Sequence, residues 1–506
     1  MRAGHNPEAL AMAIMPLIKR AGRGCLDALQ LAKERFSELE AWLSSRAALQ
    51  SPLHIVEHKQ EQKGREVQRL MLQAHVEQRG NGDVGSTLRV VKDSEEMRYT
   101  HRQVRTRHLK TIFGEITIVR MGYFREGEKS IYPLDEILQL PARSFSYELQ
   151  RRMVKAAVQG PFDEVKERME EISGMRIPKR SLEEVIEDAA EDFDAFYADR
   201  ISEPAAQTAA ILIAAVDGKG IPMIKPHGAQ RVVRLGKGKK ANKKKMATVA
   251  TVFTRQPWIR KPEDVVESLF RSGPRDQTRG ENVRPNPENK RVWASLVKGK
   301  SAVIAEVAEE MRRRDPQSKK IWVALTDGER ALQKLVKKHL NVLLILDLLH
   351  VLEKLWKAAY VFHAEGSVEA EQWVRVRALR ILQGKVSQVV KGLRQVATKH
   401  RLRGERRKTI LSVAGYLYRN RTRMRYHQYL AMGLPIASGA VEGACKNLIK
   451  DRMERSGMRW TEGMAEAMVK LRAIYLSGDL DQYWKFHIKK DQERLHPSGK
   501  WTVNIK

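Results

Sequence analysis

Hydrophobic residues follow two kinds of pattern along this chain of 506 residues, and the pattern changes near residue 209. Before that point, apolar positions recur mainly at intervals of three and four, which is typical of one face of an amphipathic helix. After it, short continuous apolar runs alternate with helical segments. Strands separated by helices indicate a mixed α/β domain with a central sheet.

The two patterns and the distribution of charge predict six segments. These are an N-terminal helical region (1–90), a region with a β-hairpin and a helix-turn-helix-like pair (91–205), the first part of an α/β core (206–355), a basic helical insertion (356–430), the second part of the core (431–485) and a basic tail (486–506).

A β-hairpin is predicted at residues 104–124. Two β-rich runs, 104–113 and 116–124, are joined by Gly114-Glu115, and Gly at the first central position suits a type II′ turn. The strands carry Arg105, Arg107, Lys110 and Arg120. The basic side chains suit contact with a DNA backbone, and an ordinary small sheet with a solvated face explains them equally well.

A pair of helices is predicted next, at residues 163–172 and 181–199. Gly174 ends the first helix, and Ser181 with Glu184 forms a capping box that opens the second. The second helix carries eight acidic residues and no Lys or Arg. Because that face would be repelled by phosphates, we expect it to pack on a basic surface of the protein rather than to enter a DNA groove.

Four apolar runs in the second half predict buried strands. They lie at 209–216, 246–253, 321–325 and 342–346. An aspartate follows three of them, at Asp217, Asp327 and Asp347. One Asp-Gly after a strand is a common turn, but ligand sites in open α/β sheets form at the carboxyl ends of strands.

Clustered carboxylates require cations. Two unit charges 4 Å apart repel by about 4 kcal/mol at an effective dielectric constant of ~20. Two Mg²⁺ ions would remove that repulsion and could activate a water or a 3′-hydroxyl for attack on phosphorus. A further carboxylate, Glu442, is predicted on a helix that Ser438 caps, although an ion pair with Lys446 explains Glu442 equally well from spacing alone.

The charge of the chain points to a polyanionic partner. Lys and Arg number 93 against 61 Asp and Glu, which gives a net charge of +32, and nucleic acid is the usual counter-charge. Residues 231–245 and 391–425 concentrate the basic side chains. Our candidates for DNA contact are Lys237, Lys239, Lys240, Lys243, Lys244, Lys245, Arg403, Arg406, Arg407, Arg452, Arg455, Arg459 and Trp460.

Cysteine content and hydropathy indicate a cytoplasmic protein without a membrane anchor. The two cysteines, Cys25 and Cys445, form neither a disulfide framework nor a four-cysteine zinc site. No stretch reaches the ~18 uncharged apolar residues of a membrane span. The apolar run at 9–18 is interrupted by Pro16, and we expect a packed helix there rather than a signal peptide.

Several motifs resemble the signature elements of bacterial insertion-sequence transposases, in particular the Kra-type family, which is related to the Mutator-like transposases. The motifs are Asp217-Gly, Thr326-Asp327-Gly, Asp347-Leu-Leu-His350, Ser438-Gly-Ala-Val-Glu442-Gly and the stretch from Glu442 to Trp460. The resemblance extends over about residues 60–485. The Cys-x-x-Cys pair that many relatives carry is missing near 124–132, so we expect no zinc-dependent role there.

The resemblance implies a DDE transposase with an RNase H-like core that is interrupted by a helical insertion. Asp217 on the first strand, Asp327 after the fourth and Glu442 after the insertion would be catalytic and would hold two Mg²⁺ ions, which Mn²⁺ could replace. Asp347 and His350 match an accessory Asp-x-x-His motif, in which the histidine orients a ligand, contacts a phosphate or is simply buried.

The implied partners are the terminal inverted repeats of the element and target DNA, on which the chain would act as a homodimer or higher oligomer in the bacterial cytoplasm, at the nucleoid when bound. Two rival interpretations remain. One is a nuclease or resolvase on the same fold that performs no strand transfer, and the other is a domesticated DNA-binding protein without catalytic activity.

Overall fold

The computed structural model describes residues 24–92, 95–200, 207–224, 244–270, 283–496 and 501–502. It is a mixed structure of helices and strands. The chain divides into two compact units, Met1–Phe196 with Asp481–Lys506, and Tyr197–Leu480. In the described residues no helix is both long and apolar enough to cross a membrane.

The first unit consists of helices and two small antiparallel sheets. Its elements are α1 (Gly24–Leu43), α2 (Arg46–Leu49), α3 (Leu53–Gln78), β1 (Leu88–Lys92), β2 (Glu95–Tyr99), β3 (His101–Thr111), β4 (Gly114–Phe124), α4 (Pro133–Ile137), α5 (Tyr147–Ala157), α6 (Phe162–Ser173), α7 (Lys179–Ala189) and α8 (Phe193–Asp199), which ends in the second unit.

The predicted hairpin is confirmed as β3 and β4, but its predicted turn is wrong. Thr111 pairs with Gly114, so the turn residues are Ile112 and Phe113. The Thr111 hydroxyl donates to the Gly114 carbonyl and accepts from the Phe113 amide. These bonds close the turn two residues before the predicted position. Gly114 has a φ of 125° and begins the second strand.

The predicted helix pair is also confirmed in outline, but the second predicted helix, 181–199, is divided into α7 and α8. Gly174 ends α6 with a φ of 69°, but α7 begins at Lys179, so the Ser181–Glu184 capping box is wrong. Glu184 instead accepts a hydrogen bond from Arg143 at 2.6 Å. Arg143 also contacts Asp188 at 2.5 Å. The acidic face of α7 therefore packs against a basic side chain of the same chain.

The second unit is built on a five-stranded sheet. Its elements are β5 (Ile211–Pro222), β6 (Lys244–Arg255), α9 (Pro262–Leu269), β7 (Glu288–Ser295), α10 (Lys300–Arg314), β8 (Ile321–Thr326), α11 (Arg330–His339), β9 (Leu343–Leu346), α12 (Leu348–Ala359), α13 (Val368–Leu382), α14 (Val386–Lys399), α15 (Gly404–Asn420), a 3₁₀ turn (Arg421–Arg423), α16 (Tyr426–Ala431), α17 (Gly439–Ala444), a π-helical turn (Cys445–Lys450), α18 (Asp451–Met453), a second 3₁₀ turn (Arg455–Gly457) and α19 (Glu462–Ser477).

Two elements follow the second unit along the chain. Helix α20 (Leu480–Leu495) and strand β10 (Trp501–Thr502) lie in the first unit, apart from Leu480 at the boundary. β10 pairs with β1, where Trp501 lies opposite Val90. The first unit therefore contains both the N-terminal and the C-terminal parts of the chain.

The sheet of the second unit has the strand order β7-β6-β5-β8-β9. β5, β8 and β9 are parallel, and β6 is antiparallel to both of its neighbours. The central strand is buried from Ile211 to Val216, as expected for a strand covered on both faces. Helix α10 packs against β5 and β6, and α19 packs against β7.

All four predicted strands of this sheet are present, and the largest difference in bounds is at β5. β5 continues past Asp217 to Pro222, because it stays paired with β6 after its parallel pairing with β8 has ended at Ala215. The fifth strand, β7, was not predicted. Its first four residues, 288–291, are polar, and only its second half carries the apolar signal. The predicted insertion at 356–430 is helical, as α12 to α16.

A buried charge network joins β7 to α10. The Glu310 carboxylate is only 7% exposed and contacts Arg291 at 2.5 Å, Arg314 at 2.7 Å and Arg313 at 2.8 Å. Burial raises the pKa of Glu310, but the nearby positive charges outweigh it and lower this pKa to about 2. The interior charge is matched because a buried ion without its partner is strongly destabilising.

We expect the Glu310→Gln variant to lower the free energy of unfolding by about 3–5 kcal/mol at neutral pH, because Arg291 would stay buried without a counter-charge. A depressed pKa stabilises the fold above the unfolded pKa near 4.3, and that contribution is lost as pH falls towards 2. Urea unfolding should therefore show the difference shrinking below about pH 5. Glu309→Gln, on the exposed side of the same helix, should change stability little at any pH.

Candidate active site

Three aspartates lie at one edge of the sheet. Asp327 and Asp347 directly follow the parallel strands β8 and β9, and Asp217 lies two residues beyond the last parallel pair between β5 and β8. Parallel strands end on the same side of a sheet, so the three side chains start from one edge. A main-chain hydrogen bond joins the ends of β8 and β9, since the Asp347 amide donates to the Thr326 carbonyl at 2.9 Å.

Asp347 is the buried centre of this edge. It is 1% exposed, and it caps α12 by accepting from the Leu349 amide at 2.8 Å. Its other oxygen accepts from the Ser438 amide at 2.9 Å and from the Ser438 hydroxyl. Ser438 occupies the N-cap position of α17, as predicted, but its hydroxyl makes no capping hydrogen bond and donates to Asp347 instead.

Glu442 reaches the same edge from α17. Single ligand atoms of Asp347, His350 and Glu442 lie within 4.8 Å of one another. Partial burial raises the pKa of Glu442, and the negative charge of Asp347 raises it further while His350 opposes the shift. The alternative ion pair with Lys446 is not formed in the described structure. Glu442 therefore faces other acids at the strand ends rather than a neighbouring lysine.

Asp217 completes the acidic surroundings of Glu442. Its charge also raises the pKa of Glu442. One Asp217 oxygen accepts from its neighbour's amide, that of Gly218, at 2.7 Å, and the other accepts from the Cys445 thiol at 3.5 Å. Burial and the charge of Asp217 raise the pKa of the Cys445 thiol, which keeps it protonated as a donor. Cys445 was not singled out in the sequence, although it follows Glu442 by three positions on one helical face.

Asp327 occupies the turn between β8 and α11. Its carboxylate accepts from the Glu329 amide at 2.8 Å, and its main-chain oxygen accepts from the Tyr416 hydroxyl at 2.7 Å. Gly328 has a φ of 91°, and a Cβ there would lie 2.8 Å from the Tyr416 hydroxyl oxygen. Burial, followed by the charge of Asp327, raises the pKa of Tyr416. Tyr416 lies in the basic segment 391–425, where aromatic residues interleaved with basic ones suggested either DNA contact or a core position, but the sequence did not predict its contact with Asp327.

The residues that meet differ in part from the predicted trio. The close group is Asp347, His350 and Glu442, which includes both predicted accessory residues. Asp217 lies near enough to act on Glu442, whereas Asp327 belongs to the same edge without entering the close group. Shared metal binding by Asp217, Asp327 and Glu442 stays a prediction.

The geometry is compatible with a hard divalent cation. A carboxylate oxygen from each of Asp347 and Glu442 and one imidazole nitrogen of His350 lie within 4.8 Å of one another, a spacing that a single divalent ion could span. In the described residues, none of Asp217, Asp327, Asp347 and Glu442 forms an ion pair with Lys or Arg. This differs from Glu310, which three arginines neutralise.

The predicted DNA-contact residues separate into four groups. Lys237, Lys239, Lys240 and Lys243 lie outside the described residues. Lys244 and Lys245 are paired with Glu454 at 2.8 Å and Glu462 at 2.5 Å. The side chains on the surface are those of Arg403, Arg406, Arg407, Arg455 and Arg459.

The fourth group, Arg452 and Trp460, is buried, so the prediction of direct DNA contact is wrong for both. Arg452 is fully buried, 5.0 Å from the centre of the Trp460 ring. The Trp460 indole donates to the Met453 carbonyl at 3.0 Å, and its main chain bonds Pro222 at the end of β5. These side chains pack the segment after Glu442 against the sheet.

The free energy of unfolding should distinguish Asp347, a buried acid that accepts hydrogen bonds from other segments, from Glu442, which faces solvent. We expect Asp347→Ala to lower the free energy of unfolding by about 2–4 kcal/mol in buffer with a chelator, because the Ser438 and Leu349 donors lose their acceptor. Glu442→Gln should change it by no more than about 0.5 kcal/mol, since this side chain lies at the exposed rim. Equal losses in the two variants, measured by urea unfolding, would contradict this division.

Comparison with known proteins gives limited matches. No curated protein sequence matches the chain. Among solved structures, one titled Drosophila P element transposase strand transfer complex aligns with 9% identity over 71% of this chain and 83% of that chain, at a TM-score of 0.26. That likeness is too weak to assign fold or function. A family profile described as "Uncharacterised protein family (UPF0236)" matches residues 57–265, which is less than half of the chain and ends within α9.

Proposed function

We propose that this protein is a DNA transposase of the DDE type, which uses divalent metal ions to cleave DNA and to transfer the cut strand. The observation that carries the proposal is the convergence of Glu442 with the strand-end acids, none of which is paired with Lys or Arg in the described residues. A protein that only binds DNA has no use for unneutralised carboxylates at a surface that phosphates approach.

The order of the elements supports an RNase H-like core. Within the five-stranded sheet, β5 with Asp217 is the first strand along the chain, and β8 before Asp327 is the fourth. Helices α12 to α16 then intervene before Glu442. The resemblance to Kra-type transposases implies this order of acid, acid, insertion and glutamate.

The donor atoms suit Mg²⁺, with Mn²⁺ as a substitute, because carboxylate oxygens are the ligands such ions prefer. Asp347 already accepts three hydrogen bonds, so we assign it to positioning. Asp217, Asp327 and Glu442 are the proposed ligands, and a metal pair there would activate the attacking oxygen and stabilise the leaving one. His350, on the first turn of α12, would contact a ligand or a phosphate.

The charge of the chain supports DNA as the substrate. A net charge of +32 is unfavourable without a polyanion. Arg403, Arg406 and Arg407 are exposed at the start of α15, and Arg455 and Arg459 are exposed after the Glu442 helix. We propose that the DNA partners are the ends of the element and its target, bound by a dimer or larger oligomer.

A nuclease or resolvase on the same fold is the second candidate, since the site chemistry would be identical. Joining of a pre-cleaved 3′-end to a second DNA molecule separates the two functions. A transposase performs this reaction with Mg²⁺, and a simple nuclease yields only shorter fragments.

We expect Asp217→Asn and Glu442→Gln to lower Mg²⁺-dependent cleavage by a factor of at least about 10³, because each removes charge that holds the metal ions. The measurement is cleavage of a plasmid that carries the gene with the DNA on both sides of it. DNA affinity should be unchanged or slightly higher, since each variant removes one negative charge.

Glu371→Gln is the matched control. Glu371 is exposed on α13, in the same unit, and its replacement has the same size and charge change as Glu442→Gln. It should cleave at the wild-type rate. Normal cleavage by Asp217→Asn or Glu442→Gln would overturn the proposed assignment of the site.

A further inference from the structure

A basic cavity opens beside the candidate active site, between α11 and the end of α15. Its volume is about 650 Å³, within the range of ordinary ligand sites. Its lining residues are Gly328, Arg330, Gln333, Lys334, Lys337, Tyr416, Arg419, Asn420 and Arg423. Five of the nine are cationic and none is acidic, so the cavity has a strongly positive interior.

The cations form two facing rows. Arg330, Lys334 and Lys337 follow one another at intervals of four and three along α11, which places them on one face of that helix. Arg419 and Arg423 are four positions apart across the end of α15 and the 3₁₀ turn. Like charges at such spacing repel, and two such rows facing each other repel more strongly. The arrangement is therefore unfavourable unless an anion lies between the rows.

The described part of the chain does not supply that anion, since none of the five cations forms an ion pair with a carboxylate there. The Nε atom of Arg423 is buried and has no hydrogen-bond acceptor. The nearest acid along the chain, Glu329, is bound through both oxygens to Lys300, at 2.6 Å and 2.8 Å.

The floor of the cavity is rigid and joins directly to the acidic edge. Gln333 donates to the Asn420 side chain at 3.2 Å, and Asn420 donates to the Tyr416 carbonyl at 3.0 Å. Tyr416 in turn bonds the main-chain oxygen of Asp327. Gly328, the residue after Asp327, lines the cavity, so the basic cavity begins one residue away from a proposed metal ligand.

We propose that this cavity binds the backbone phosphates of a DNA strand where it leaves the proposed metal site. The inference rests on the proposed function, which it deepens by naming a second contact for the same substrate. The seven residues from Arg330 to Lys337 rise about 10.5 Å along the helix, so this row of cations is long enough to face more than one phosphate of a strand. The side-chain amides at the floor bond each other or the main chain, so the cavity recognises phosphate charge rather than bases.

Salt dependence of DNA binding tests this site. The double variant Lys334→Gln with Arg419→Gln removes one cation from each row. Binding to a short DNA duplex of arbitrary sequence is measured in a chelating buffer over a range of salt concentrations. Each phosphate contact contributes about 0.9 to the slope of log K against log salt, so we expect a slope less negative by about 1.8 than that of the wild type.

The control is the double variant Arg312→Gln with Lys338→Gln. It removes the same net charge from exposed positions on α10 and α11 that do not line the cavity, and it should keep the wild-type slope. Circular dichroism and urea unfolding establish that both double variants fold. Equal slopes in the two double variants would overturn the proposal, because the cavity would then contribute only general charge.

A free nucleotide is the other source of phosphates, and a second measurement distinguishes it. Binding of inorganic tripolyphosphate and of ATP is measured by calorimetry for the wild type and the cavity variant. Loss of ATP binding with an unchanged DNA slope would assign the cavity to a nucleotide and reject a DNA strand. A wild-type protein that shows the cavity-dependent slope but never cleaves DNA with Mg²⁺ would remove the proposed enzyme and leave the cavity as a DNA contact.

Discussion

The candidate site depends on one buried carboxylate, that of Asp347. A charge taken out of water must be matched by donors, and here they come from two distant segments, the first turn of α12 and Ser438. The amide of Asp347 adds a third tie, to the end of β8. Because Ser438 is fixed in this way, the helix that follows it starts at the sheet edge and carries Glu442 there.

In the second unit, the buried Glu310 and the acids at the strand ends differ in how their charges are neutralised. Three arginines surround Glu310, and their charges lower its pKa to about 2 despite its burial. The acids at the strand ends receive no such neutralisation in the described structure, and partial burial with mutual repulsion raises the pKa of Glu442. The chain contains 93 Lys and Arg, so cations are not scarce. Their exclusion from this edge leaves the carboxylates to a cation from solution, which is the physical basis for proposing metal ions.

Sequence patterns predicted four of the five strands of this sheet, because strands covered on both faces are short, continuous apolar runs. The predictions from sequence failed where a side chain forms a hydrogen bond that the sequence pattern does not show. The Thr111 hydroxyl moved the hairpin turn, and the Ser438 hydroxyl bonded Asp347 instead of its own helix. At the site, the resemblance implied Asp217, Asp327 and Glu442 as metal ligands, whereas the close group in the structure is Asp347, His350 and Glu442. Arg452 was predicted to contact DNA because it follows the Glu442 helix, whereas its guanidinium is buried beside Trp460.

Opposite charges meet at a single turn of this unit. On one side of Asp327 and Gly328 lie carboxylates without cations, and on the other lies a cavity lined by five cations without acids. Arginines placed among the carboxylates would neutralise them and compete with metal ions, whereas acids in the cavity would repel phosphates. Phosphoryl transfer on DNA requires metal ions at one phosphate and cationic side chains that bind the neighbouring phosphates. These requirements conflict within one surface, so they call for two adjacent surfaces. Tyr416, bonded to the Asp327 main chain and lining the cavity, fixes the distance between them.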